Sequence, residues 1–244
     1  MIRCRTKLMS KIRLFFKETL EEKKQIEINE ESFHYLSNVM RCEIGFIINL
    51  FNEGSGEFKS KVIEKTKKKI ILEVVKKIKY EKIINNFDLV FCPPKSNKLD
   101  TLIQKCTEIG VKSFIPIISD HTVNRKLNLE RIKKIIKEAV EQSNQVHLPE
   151  IHSPISFDHY ISSLGENDDI FFADIQSDTH LSNFKINFSK KNSIIVGPEG
   201  DFSVNEIEIL KGKNFIKSFS LGKRILRSET AAIASLVLFN NLIN

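Results

Sequence analysis

Near the end of this chain an apolar run, Ile194-Ile195-Val196, stops at Gly197-Pro198-Glu199-Gly200, and a second run, Phe215 to Leu221, stops at Gly222. Each run reads as a buried strand, and each glycine turn precedes an apolar-periodic segment that reads as a helix. Two such turns bring both loops to the carboxyl edge of one sheet, where α/β folds bind their ligands. This pair of turns restricts the fold more than any other feature of the chain.

Gly197 and Gly200 suit a backbone that approaches a ligand closely or takes positive φ, and Pro198 stiffens the turn between them. Ser203-Val204-Asn205-Glu206 then fits a capping box, with Gly212 as the expected stop of the short helix it opens. The second loop carries more charge. Lys223, Arg224 and Arg227 lead into Ser228-Glu229-Thr230 and a final helix through Leu242 that is apolar nearly all round, so it must be covered on more than one side. No GxGxxG, GxxxxGK[ST] or GxSxG pattern is present, which removes the dinucleotide-binding, phosphate-loop and α/β-hydrolase readings.

Residues 83–244 alternate strand and helix. Phe87 to Cys92 is a strand, the segment after Asn97 a helix stopped by Gly110, and Val111 to Ile118 the next strand. Asn128 caps a long helix with Ile132, Ile135, Ile136, Ala139 and Val140 inward, ended by Leu148-Pro149. Ile170 to Ala173 adds another strand, and the whole is an α/β domain with a mostly parallel sheet. Residues 1–82 differ. Ile12 to Phe16, Phe46 to Phe51, Glu57 to Glu64 and Ile70 to Ile78 read as strands, Asn52-Glu53-Gly54-Ser55-Gly56 as a hairpin turn, and Asn29 as the cap of a short helix through Met40. This is the pattern of a small β-barrel with one helix.

Charge follows the same division. Residues 1–84 carry 19 Lys and Arg against 12 Asp and Glu, a net +7 that equals the formal charge of the whole chain, so the remainder is neutral. A basic small unit beside a neutral larger one suits a polyanion held by the first and a different task for the second. Cys4, Cys42, Cys92 and Cys106 are scattered without CxxC spacing, and the six histidines show no metal-ligand spacing, so neither a metal site nor a disulfide framework is expected. With no apolar run of membrane-spanning length and no leader pattern at the start, a cytoplasmic protein is expected.

Gly197-Pro198-Glu199-Gly200 with Leu221-Gly222-x-Arg224-Ile225-Leu226-Arg227-x-Glu229-Thr230-Ala231 resembles the C-terminal signature of the RsmE family, small-subunit ribosomal RNA uridine-N3 methyltransferases of the SPOUT superfamily. His34 to Arg41, Lys105 to Val111 and Glu138 to Ser143 are also similar to that family. The resemblance implies a C-terminal SPOUT trefoil-knot domain that binds S-adenosyl-L-methionine, a homodimer packed through that domain, and a PUA-like barrel that helps hold 16S ribosomal RNA or the small subunit. Two departures stand out: Asp201 occupies a place where the family usually has a second glycine, and Gln145 one where it has an arginine. The resemblance begins only near Met9, which leaves Met1 and Met9 both open as the start of translation.

On this resemblance the donor is expected against Gly197, Pro198, Glu199, Gly200, Leu221, Gly222, Ile225 and Leu226. Arg227 is expected to stabilise the uracil anion, with Glu229 or Glu199 as orienting group or base. Arg13 and Arg41 in the barrel, with the Lys67 to Lys69 run, and Arg125, Arg131 and Gln142 in the larger domain are the expected RNA contacts. Two other functions remain open on sequence alone: a non-catalytic RNA-binding assembly factor, and a SPOUT ribose 2′-O methyltransferase.

Overall fold

A computed structural model of the 244-residue chain describes residues 12–28, 30–78 and 86–242. It divides into two compact units, Met1–Lys82 and Ile83–Asn244.

The first unit contains β1 (Arg13–Phe15), β2 (Gln25–Glu27), α1 (Glu30–His34), a π-helical turn (Tyr35–Val39), β3 (Ile47–Asn52), β4 (Gly56–Lys65) and β5 (Ile70–Lys77). The sheet runs β1-β3-β4-β5-β2; β1 pairs with β3 in parallel, and the other ladders are antiparallel. Alternation places Phe58, Val62, Leu72 and Val74 inward with Leu14, Ile48 and Leu50, so one face of the sheet forms the core. Register shifts between Lys59 and Ser60 and between Val62 and Glu64 bend β4. The hairpin turn closes as its sequence requires, with Ser55 N donating to Asn52 Oδ1 at 2.7 Å and Gly56 at φ +86°. The expected short helix is α-helical only to His34 and then widens, Met40 N donating to the Tyr35 carbonyl at 3.0 Å. Its expected cap, Asn29, lies outside the described residues, as do Met1 and Met9.

Arg13 corrects one expectation. It is 6% exposed and not a surface contact for RNA. Its Nε and Nη2 reach the Glu57 carboxylate at 3.2 and 3.1 Å, Asn49 Nδ2 adds a bond to Glu57 at 2.7 Å, and the guanidinium stands 4.2 Å from the centre of the Phe51 ring. A buried arginine needs this kind of partner, and one supplied from a strand 44 residues away leaves no local trace in the sequence.

The second unit is formed by β6 (Phe87–Phe91), α2 (Ser96–Ile109), β7 (Ser113–Ile118), α3 (Leu129–Gln142), β8 (Glu150–Ile151), β9 (Ile155–Ser156), α4 (Phe157–Ser162), β10 (Asp168–Ala173), a 3-10 turn (Leu181–Asn183), β11 (Lys191–Val196), α5 (Val204–Lys211), β12 (Ile216–Phe219) and α6 (Ser228–Asn241). The strands run β12-β10-β11-β6-β7-β8, with β9 also on β7, and every one of these pairings is parallel. Continuous burial along β6 and β11 shows that helices cover both faces. On one face Val90, Ile195 and Phe172 pack with Phe157 and Tyr160 of α4 and Leu210 of α5. On the other, Phe239 of α6 sits 5.0, 4.6 and 5.2 Å from the ring centres of Phe87, Phe171 and Phe219.

Local signals set several boundaries. Asn128 caps α3 by accepting from Arg131 N, and Gly110 ends α2 at φ +105°. Helix α3 stops at Gln142 rather than at Leu148-Pro149, and Gly212 ends α5 without the positive φ expected of it. No helix among the described residues is long and apolar enough to cross a membrane.

Because Phe239 meets three aromatic rings and is fully buried, Phe239→Ala is expected to cost about 3–5 kcal/mol. A lower urea midpoint for loss of helical signal would show it.

Candidate functional site

The parallel pairing directs the ends of β10, β11 and β12 to one edge, so three loops meet there. Between them and the first turn of α6 lies a cavity of about 350 Å³. Its walls are Ala173 to Ile175 after β10, Val196 to Asp201 after β11, Leu221, Gly222 and Arg224 to Leu226 after β12, and Ser228 and Ala231 of α6. All eight residues expected at the donor, Gly197, Pro198, Glu199, Gly200, Leu221, Gly222, Ile225 and Leu226, are among them.

The two glycine loops use glycine for different reasons. A Cβ on Gly197 would stand 3.1 Å from the Phe202 ring, tighter than ordinary contact, so close packing favours glycine there. Gly222 has open space around it but takes φ +103°, so conformation demands it. Neither Gly197 nor Gly200 has positive φ; Asp201 does, at +61°, in a turn where its N–H donates to the Pro198 carbonyl at 3.0 Å. The capping box forms: Ser203 Oγ accepts from Glu206 N, and Glu206 Oε2 accepts from Ser203 N at 2.8 Å. Glu206 Oε1 also accepts from Asp120 N at 3.0 Å, tying the loop after β7 to this one.

The expected catalytic side chains part company. Glu199 is exposed and lines the cavity. Arg227 is exposed at the N-cap of α6 and is not a wall residue, nor is Glu229. Glu229 Oε1 lies 3.5 Å from Lys98 Nζ in α2, and its buried Oε2 has no hydrogen-bond partner. Ser228, which the sequence marked only as the opening of the last helix, lines the cavity at 5% exposure with its Oγ also unpartnered. Asp174 is a wall carboxylate, beside Glu199 and Asp201, that sequence reasoning missed. It accepts from Gln176 N at 2.8 Å, and its Oδ2 is 2.8 Å from Lys211 Nζ but off hydrogen-bond alignment. Neither residue belongs to the glycine loops, so no motif pointed to them.

The expected RNA contacts other than Arg13 are exposed, except Lys69, which is half-buried and paired with Glu64 at 2.9 Å. Arg41 has φ +51°, Arg125 Nη2 donates to the carbonyls of Ser119 and Asp120, and Arg131 is paired with Asp100. Gln142 ends α3 at the surface. Gln145 is turned inward instead, its Nε2 donating to the Thr107 and Glu108 carbonyls at 2.6 and 3.0 Å. Burial pushes the Cys92 thiol up to about 11, so it stays neutral near pH 7. Among the described residues no group of three or more His, Cys, Asp or Glu could hold a metal ion.

A parallel α/β domain with a cavity at its sheet edge, preceded by a small β unit, is the arrangement of an RNA methyltransferase domain with a PUA domain before it. A model of the RNA methyltransferase domain matches residues 64–240, and one of the RNA methyltransferase PUA domain matches residues 28–75. The chain is 32% identical over 228 residues to a ribosomal RNA small subunit methyltransferase E from Rickettsia conorii, covering 92% of this chain and 93% of that one. It is 29% identical to the Bacillus subtilis protein of the same name over 90% of this chain and 91% of that one. The chain therefore belongs to the ribosomal RNA small subunit methyltransferase E family. The crystal structure of a Neisseria gonorrhoeae member, bound to S-adenosyl methionine, has the same fold, with a TM-score of 0.87 at 24% identity over 95% of this chain and 98% of that one.

Gly197→Ala requires the Phe202 ring to give by a few tenths of an ångström and should distort that wall of the cavity without unfolding the sheet. An unchanged position of the Phe202 ring in a crystal structure of the variant would contradict this.

Proposed function

We propose that this protein transfers the methyl group of S-adenosylmethionine to N3 of a uridine in small-subunit ribosomal RNA. The observation that carries this reading is the cavity at the sheet edge, whose walls are the two family loops. Its volume of about 350 Å³ suits a ligand of this size class. The unpartnered Ser228 Oγ within it fits a polar ligand, since a buried hydroxyl without a partner is costly. Family membership and the names of the relatives support the substrate, and the donor carried by the Neisseria protein supports the cofactor.

The donor supplies an electrophilic methyl on a sulfonium. Backbone groups of Gly197 to Gly200 and Leu221 to Leu226 hold its neutral parts, because amides and carbonyls can hydrogen-bond them without placing charge beside the sulfonium. The uracil imide must lose its N3 proton before or as the nitrogen attacks in line. Glu199 accepts that proton: it is exposed on the cavity wall, whereas of the other wall carboxylates Asp174 is paired with Lys211 and Asp201 accepts from Phe202 N, and Glu229 is drawn to Lys98. Arg227, at the N-terminus of α6, offers cationic charge to the uracil anion together with the helix dipole.

RNA is held through its phosphates by Arg41 and the exposed Lys67 and Lys68 in the first unit, and by Arg125, Arg131 and Gln142 in the second. The target base is flipped from its stack to reach the donor. A second copy of the chain packs over α6, where Val237 and Leu238 are 39% and 42% exposed on a helix otherwise apolar. The protein works in the cytoplasm, where its ribosomal substrate is assembled.

The test incubates the protein with labelled donor and with unmethylated small subunits or free 16S RNA, then maps the modified nucleotide. Label at uridine N3 is expected; label on a ribose 2′-oxygen, or none with either RNA, overturns the reading. In that assay Glu199→Gln and Arg227→Ala should each lower turnover by about 10²-fold or more, with donor affinity much less affected. Arg41→Glu should weaken RNA binding and reduce its salt slope by about 1 or more. A sedimentation profile of a monomer at micromolar concentration would remove the dimer.

A further inference from the structure

His121 lies in the loop after β7, 80 residues before the loop it touches. Its Nδ1 is 3.2 Å from the Gly200 carbonyl oxygen and 2.9 Å from that of Asp201. Carbonyl oxygens only accept, so Nδ1 carries the proton and donates to this pair. The imidazole also packs on the glycine: a Cβ placed on Gly200 would stand 3.7 Å from His121 Cβ.

The residue it grips is the strained one. Asp201 takes left-handed backbone without being glycine, a conformation that persists only where the surroundings enforce it. Asp201 helps itself by accepting from Phe202 N at 2.8 Å, and His121 holds the carbonyls on either side of its N–Cα bond. The loop that carries His121 is itself braced. Ser119 N donates to Thr122 Oγ1 at 2.8 Å, Arg125 Nη2 donates to the Ser119 and Asp120 carbonyls, and Asp120 N is bonded to the buried Glu206.

We propose that His121 is a positioning residue of the donor site. It clamps Gly200 and Asp201 from outside the cavity, so that the wall from Gly197 to Gly200 holds its binding shape before the ligand arrives. A pre-ordered loop does not spend binding free energy on ordering. The role in donor binding rests on reading the cavity as the S-adenosylmethionine site, but the clamp itself is a property of the loop and can be measured without the ligand.

Three variants test it: His121→Leu, which removes the donor; His121→Asn, whose amide nitrogen can stand where Nδ1 stands; and Asp201→Gly added to His121→Leu, which removes the backbone strain. Hydrogen exchange of the Asp201 and Phe202 amides and calorimetry with S-adenosylmethionine are the readouts. His121→Leu should speed exchange at those two amides with the β6 and β11 amides unchanged. It should also weaken donor binding about tenfold, the size of one lost hydrogen bond at the upper end, with turnover at saturating donor within about twofold. His121→Asn should restore both properties, and Asp201→Gly should recover part of the lost affinity. Unchanged exchange in His121→Leu overturns the clamp, as does a His121→Asn variant as impaired as His121→Leu. Wild-type protein that binds no S-adenosylmethionine overturns the donor reading instead, and exchange still decides the clamp.

Discussion

The contact of Phe239 with Phe87, Phe171 and Phe219 joins α6 to β6, β10 and β12 at once. The first turn of the same helix supplies Ser228 and Ala231 to the cavity. Seating the helix therefore places the wall of the site, and no separate device is needed to aim it. The parallel register does the rest, because strands paired in the same direction release their loops at the same edge. An apolar contact on one face of the sheet and a ladder of backbone bonds together position a polar cavity.

Around that cavity, stiffness is distributed unevenly. The loop after β11 is packed, capped and crosslinked: Phe202 lies against Gly197, the Ser203–Glu206 box closes α5, and bonds cross from the loop after β7. Glu206 is 4% exposed, and each of its carboxylate oxygens accepts from a backbone N–H, Oε1 from Asp120 and Oε2 from Ser203, the arrangement that lets a carboxylate be buried. The loop after β12 is looser. Gly222 touches nothing that a side chain would disturb, and Ile225 is 88% exposed at the cavity. One wall is thus built in advance, and the other is open to rearrangement around a ligand or a base.

Charge in this chain serves the interior as well as the surface. Arg13 is forked onto Glu57 within the first unit, and in the second Lys217 pairs with the buried Asp169 while standing 5.3 Å from the centre of the Phe171 ring. Arg131 and Lys65 are also engaged with carboxylates, Asp100 and Glu43. Each such pair withdraws one cation and one anion together, so the formal +7 of the first third is unchanged by them but does not say which cations face a polyanion. Exposed Arg41, Lys67 and Lys68 remain the better measure.

Periods of two and 3.6, turn glycines and caps are local properties, and they were enough to read the strand-loop-helix order, the parallel sheet, the Asn128 cap, the Ser203–Glu206 box and the loops that line the cavity. What they left out depends on distance along the chain. The inward turn of Arg13 needs Glu57, the draw of Glu229 needs Lys98, and the left-handed turn at Asp201 has His121 beside it, each partner coming from another element. The widening of α1 into a π-helical turn and the inward Gln145 are of the same kind. By itself the sequence determined which segments form the sheet edge and which loops meet there. Only the tertiary structure decided which charged groups face the cavity and which are spent holding it, because that choice rests on burial and on partners that packing alone brings within hydrogen-bond reach.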